Sequence, residues 1–263
     1  MGSVASQGLL DELRARLRAS GLFIAMPLDG ASFDSASAAA GAPRLTELFA
    51  PARSAVVVGD GGATFFSSFL RAAEAAQARG QAAPPIDPLD AFTRACVSSV
   101  VEDVVTARGL KSRVMFPFGP DTPPLPFQRL GRAAGLPAPG PLGLQVHPEF
   151  GPWWAYRALV LLSCEVATWA HDAPDPSGAA SSPCDACLRP CVEACPGHAV
   201  HATGFVFAAC RDRRERAPAC RESCAARLAC PIGVPHRYDE AQLAFHMRAS
   251  LAQIRRSPAL TTT

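Results

Sequence analysis

The chain has 263 residues, long for one domain and short for two full ones. Half of it (49%) is apolar, enough to bury a sizeable core, and a formal net charge of +2 excludes nucleic-acid binding through bulk charge. The longest apolar run, Ala158–Ala170, is about thirteen residues, too short for a membrane span.

In chain order, the N-terminus carries Leu9, Leu10, Leu13 and Leu17 at helical spacing among charges. It lacks the pattern of a secretory leader, which predicts a cytoplasmic protein. "SAVVVGDGGATFFSSFLRAAEAA", 54–76, predicts a buried strand, a turn at Gly59, Gly61 and Gly62, and a helix. A glycine turn opening a helix is also a possible cradle for phosphate. "DPLDAFTRACVSSVVEDVVTARG", 87–109, predicts a second helix with Asp87 as cap and Pro88 in the first turn. "RVMFPF", 113–118, reads as a strand and "PFQRLGRAAGL", 126–136, as a short helix. "LGLQVHPEFG" and "WAYRALVLLSCEV" read as a β-hairpin. Mixed strands and helices with a hairpin predict an α+β class. "HDAPDPSGAASSP", 171–183, is a polar joint. The expected domains are 1–170, a linker at 171–183, a Cys-rich domain at 184–250, and a tail at 251–263.

Ten cysteines in a reducing compartment point to metal or redox chemistry before disulfides. Cys96 and Cys164 have apolar neighbours and read as core residues. The other eight fall between Cys184 and Cys230. Cys184, Cys187, Cys191 and Cys195, with Pro196, form C-x2-C-x3-C-x3-C-P, one residue longer than the bacterial ferredoxin spacing. A bulge at Pro190 is expected to absorb the extra residue. Cys210, Cys220, Cys224 and Cys230 follow, again ending in Cys-Pro. Two such groups fit two 4Fe-4S clusters in the crossed ferredoxin arrangement. Cys184, Cys187, Cys191 and Cys230 then hold one cluster, and Cys195, Cys210, Cys220 and Cys224 the other. A closed zinc site is the alternative. Structural zinc commonly uses two C-x2-C knuckles, and one such pair is present.

The Cys-rich end resembles the ferredoxin-like domain of epoxyqueuosine reductases and reductive dehalogenases, which pair two four-iron clusters with a cobalamin. The gap from Cys195 to Cys210 matches theirs. "DTPPLPFQRLGRAAGL", 121–136, resembles the segment leading into their cobalamin pocket, which makes Asp121 the implied proton donor. "LGLQVHPEFGPWWAYRALVLL", 142–162, resembles the cblC-type cobalamin-processing proteins, with His147, Pro148, Phe150, Gly151, Trp153 and Arg157 in the shared pattern. "DPLD" at 87–90 and "RYDEAQLAFHM" at 237–247 are similar to segments of the same family. That resemblance implies a flavin-reductase/nitroreductase-like N-terminal domain that binds cobalamin, joined to a small C-terminal ferredoxin-like iron–sulfur domain. In the family, the arginine matching Arg157 binds an anionic thiol co-substrate. Animal members lack the cysteine domain, so its presence here favours cluster-driven reduction.

A corrinoid needs an apolar cavity with sparse polar anchors. Trp153, Trp154, Phe116, Phe118 and Phe127 are candidate walls. Arg157, Arg129 or the glycine turn through Gly59 and Gly61 are candidate phosphate contacts. Arg157 sits in an apolar strand and needs a partner there. The expected function is a corrinoid-binding iron–sulfur reductase that takes electrons from an external ferredoxin, flavodoxin or reductase. No nucleic-acid or membrane partner is expected. The rivals are a cobalamin-dependent reductase of an organic substrate, a cobalamin chaperone, and a ferredoxin-type electron carrier.

Overall fold

The computed structural model describes residues 2–82, 87–118, 125–166 and 181–256. The chain divides into two compact units, one of residues 1–136 with 154–180 and the other of 137–153 with 181–263.

The first unit is built on a four-stranded antiparallel sheet. Its strands are β1 (Ile24–Asp29), β2 (Ser54–Gly61), β3 (Ser112–Met115) and β4 (Trp154–Leu162), in the order β1-β2-β4-β3. Every residue of β2 is buried, as its unbroken apolar run requires. Alternate side chains serve opposite faces. Ala55, Val57, Leu159 and Leu161 join Leu28, Phe33, Leu45, Leu48 and Leu130 in one core cluster. That face is covered by α2 (Gly30–Ala38), α3 (Leu45–Leu48) and α6 (Phe127–Ala133). Val56, Val58, Ala158 and Val160, also buried, point to the other face. There α1 (Gly2–Ala19), α4 (Thr64–Ala78) and α5 (Pro88–Val104) pack against the sheet and one another. Leu9, Leu10, Leu13 and Leu17 are buried as their spacing predicts. Asp87 caps α5, accepting the N–H groups of Leu89 (3.0 Å) and Asp90 (3.4 Å), with Pro88 in the first turn.

One expected element does not form. β4 pairs with β2 and β3, not with 142–151, so there is no hairpin between them. Residues 142–151 make only the isolated bridges Pro139↔Gln145 and His147↔Gly151. The reason lies in β4 itself: Ala158–Leu162 is apolar on both faces, and interior strands of the sheet satisfy that.

The second unit contains α7 (Pro190–Glu193), the two-stranded ribbon β5 (Val200–His201) and β6 (Gly204–Phe205), α8 (Phe207–Arg216), α9 (Ala219–Glu222), α10 (Ala225–Leu228) and α11 (Glu240–Arg256). Residues 137–153, read from sequence with the N-terminal half, group here. α11 runs past residue 250. Two small cores hold the unit together. One gathers Leu142, Val200 and Ala226 with Cys191, against which Cys195, Phe205 and Cys224 pack. The other gathers Trp153, Tyr238 and Leu243. Among the described residues no helix is long and apolar enough to cross a membrane.

Candidate metal centres and the buried ion pair

All ten cysteines carry free thiols. In the second unit, eight of them sort into two groups by mutual electrostatic influence. Cys191 feels Cys230, Cys184 and Cys187, and Cys230 feels Cys184 and Cys187. Cys210 feels Cys224, Cys195 and Cys220, and Cys224 feels Cys195 and Cys220. The membership is the crossed one: Cys195 sides with the second group and Cys230 with the first. Burial, reinforced by neighbouring cysteines, pushes the thiols of Cys184, Cys191, Cys224 and Cys230 up, and that of Cys210 to about 11. Four thiolates cannot stay charged together there without a cationic centre between them.

Local backbone serves the sulfurs. The N–H of Arg189 donates to Cys187 Sγ (3.3 Å) and that of Ala199 to Cys195 Sγ (3.4 Å). The N–H groups of Arg227 and Ile232 donate to Cys224 and Cys230. The extra residue of the first motif is taken up by Leu188 and Arg189 rather than by Pro190. Leu188 is 99% exposed, Arg189 is left-handed (φ 56°), and Pro190 opens α7. Cys195, Cys210, Cys220 and Cys224 line a cavity enclosing ≈ 340 Å³ of empty space, part of it open to solvent. Met247, Arg213 and Arg214 complete its wall. Among the described residues no three His, Cys, Asp or Glu side chains converge as around a single metal ion. Two sets of four soft, free thiols with N–H donors to sulfur, one of them around a cavity, fit two 4Fe-4S clusters.

The HPEFG stretch braces this unit. His147 Nδ1 accepts the N–H groups of Glu149 (3.1 Å) and Phe150 (3.2 Å), so the ring closes its own turn. Burial holds His147 below the ordinary histidine range, with Glu149 opposing and His236 adding. Gly151 has φ +59°, and a Cβ there would lie 2.1 Å from the Ile232 carbonyl oxygen. Gly233 in turn lies against the Phe150 carbonyl, where a Cβ would sit at 2.3 Å. The turn therefore packs backbone to backbone on the residues just after Cys230-Pro231. Trp153, 0% exposed, meets Tyr238 edge-on at 5.5 Å, with the Arg227 guanidinium 4.8 Å from each ring. It is enclosed in the core of its own unit.

In the first unit, Arg157 finds the partner that its strand demands. Its Nη2 donates to Asp60 Oδ2 at 2.8 Å, and Asp60 Oδ1 accepts the Ala155 N–H at 2.9 Å. Both side chains are buried. Asp90 is nearby: burial and Asp87 push its carboxyl up to about 6 against Arg157 and Arg94. Arg94 stacks on Phe116 (4.5 Å) and Phe118 (5.7 Å). Sequence reasoning missed Asp60 and Asp90. The sole signal was the need of Arg157 for an anion.

Gly59 and Gly61 do not form the expected turn. They lie within β2, opposite Tyr156 and Trp154, so their backbones belong to the ladder, and the turn falls at Gly62. A Cβ at Gly59 would meet the Ala155 carbonyl oxygen at 2.8 Å, beside the register shift at Val58/Gly59. Close strand approach, rather than a phosphate cradle, accounts for that glycine. Asp121 lies outside the described residues, as does most of the 171–183 joint.

No family model and no curated protein sequence matches the chain. Solved structures do. An epoxyqueuosine reductase matches over 90% of this chain and 68% of its own, with a TM-score of 0.60 at 13% identity. The B12-trafficking protein CblC of C. elegans matches over 97% of this chain and 96% of its own, with a TM-score of 0.59 at 13% identity. The epoxyqueuosine reductase of Bacillus subtilis gives 0.57 over 89% and 67%, also at 13% identity. The chain shares its fold with both groups of proteins. The two resemblances read from its motifs thus meet in its structure neighbours.

Proposed function

We propose that this protein is an iron–sulfur reductase that binds a corrinoid and passes it low-potential electrons. The observation that carries the proposal is the sorting of eight cysteines into two crossed sets of four. In this reading Cys184, Cys187, Cys191 and Cys230 hold one four-iron cluster, and Cys195, Cys210, Cys220 and Cys224 the other, in a ferredoxin-like domain. The first unit then acts as a nitroreductase-like corrinoid domain. The fold shared with CblC, over nearly the whole of both chains, supports it. Four-iron clusters supply one-electron transfer at potentials set by burial and by hydrogen bonds to sulfur.

The chain's own residues hold the thiolates and donate N–H groups to sulfur. In the first unit, Asp60 holds Arg157 in place. Arg157 is then a positioned cation for an anionic part of the ligand, and Asp90, near neutrality in its titration, is a group able to give or take a proton. An external ferredoxin, flavodoxin or reductase supplies the electrons in the cytoplasm, and neither nucleic acid nor membrane is a partner. The fold shared with epoxyqueuosine reductases favours a second reading, a cobalamin-dependent reductase of an organic substrate with Asp121 as proton donor.

Anaerobic absorbance titration with cob(II)alamin, before and after dithionite, tests the proposal. A broad thiolate-to-iron band that bleaches, with cobalt passing to base-off and then to cob(I), is expected. Bleaching with cobalamin left unbound refutes the corrinoid reading and leaves an electron carrier. No such band at all refutes the clusters.

A further inference from the structure

Arg214 is only 5% exposed, although arginine is seldom buried unless paired. From α8 its guanidinium reaches α11: Nη1 donates to Ser250 Oγ at 3.0 Å and Nη2 to the Met247 carbonyl oxygen. Its Nε has no hydrogen-bond partner. The residue lines the cavity of Cys195, Cys210, Cys220 and Cys224. Among the described residues no salt bridge ties its guanidinium to a carboxylate. The anions that act on it most are Cys210, then Cys224 and Cys220, with Glu215 last. Glu215 itself is engaged by Arg255, whose Nε donates to it at 2.8 Å. Of the other cations near this set, Arg227 is spent on the Pro152 carbonyl and between two aromatic rings, and Arg213 lines the cavity without being buried as Arg214 is.

A buried cation with an idle N–H and no carboxylate requires an anion in the adjoining space. A four-iron core held by four thiolates is such an anion. It gains one further negative charge when one electron enters, with no bond made or broken.

We infer that Arg214 is the built-in counter-cation of the second cluster, donating its Nε–H toward cluster sulfur and raising that cluster's reduction potential above what the thiolates alone would set. This rests on the iron–sulfur reading above. Charge and hydrogen bonding near sulfur are the protein's levers on such potentials. The four thiolates fix the cluster, and Arg214 favours its reduced form.

The test uses the full chain, loaded anaerobically with iron and sulfide, as wild type, Arg214→Met and Arg214→Lys. Iron and sulfide are counted, and reduction is followed by electron paramagnetic resonance against potential. Two reduction steps are expected in wild type. In R214M one step moves to more negative potential and the other stays; in R214K the same step moves less. R214M with full iron and both steps unmoved overturns the inference. Should R214M hold only half the iron, R214K decides. Full iron in R214K upholds the role of the charge, and half iron in R214K assigns Arg214 to bracing α11 and overturns it. Wild type without iron and sulfide fails the underlying reading instead, a distinct result.

Discussion

A charge in an apolar strand must be answered by another charge. Arg157 announces the requirement in the sequence, and Asp60 answers it from 97 positions away. The distance explains why the partner was illegible. The two meet only because β2 and β4 pair antiparallel, with Asp60 opposite Ala155 and Arg157 two places along. Asp60→Asn would leave the guanidinium buried without its anion, at a cost of about 3–5 kcal/mol. The expected outcome is a large fall in the first unit's denaturation midpoint, with iron content unchanged. A double variant that also replaces Arg157 with Met recovers much of the loss, because no orphan charge remains. Both are read by chemical denaturation followed by circular dichroism.

At the scale of elements, local signals were the dependable ones. The α5 cap at Asp87 and the buried β2 run were written in short stretches, and both form. The hairpin was misread because pairing is a long-range choice that alternation cannot specify. HPEFG was read as part of the pattern shared with the cblC-type proteins; in the structure its histidine closes a turn and its glycine lets two backbones touch. That role predicts a pH dependence. Folding holds His147 neutral, below the ordinary histidine value of about 6.5. Its contribution to stability is therefore present above that value and is lost as pH falls through the depressed folded value. The thermal midpoint of the second unit should drop on acidification below about pH 6.5. His147→Asn keeps an acceptor for the same N–H groups without the titration, and should flatten that slope. Differential scanning calorimetry across pH 5–8 (roughly the range in which histidine titrates) reads the difference, and equal slopes would refute it.

For the molecule as a whole, cysteine spacing marked out two sets of four because the Cys-Pro motifs are local, and the cysteines that act on one another in the structure fall into the same two sets. The division near residue 180 falls in the expected joint, but the placement of 137–153 was not legible. Nothing in the composition of 137–153 marks it as belonging with residues eighty positions on; backbone fit at Gly151 and Gly233 decides that. The crossed sets give an iron-counting prediction. Cys195→Ser with Cys224→Ser strikes one set, so about four of about eight irons should remain. Cys191→Ser with Cys195→Ser strikes neighbours in sequence but both sets, and should lose nearly all iron. Equal loss in the two double variants would rule out the crossing. The interleaved second unit also sets a timetable for the ribosome. Residues 137–153 leave the tunnel before β4, yet the residues that meet Gly151 emerge about eighty positions later, on the order of 4–16 s at ordinary rates of synthesis. The first unit can complete its sheet within that interval while Phe150 and Trp153 wait uncovered. On the iron–sulfur proposal, the second set of cysteines is complete once Cys224 has been made and the first only with Cys230, so the first cluster could be assembled only at the end of that interval.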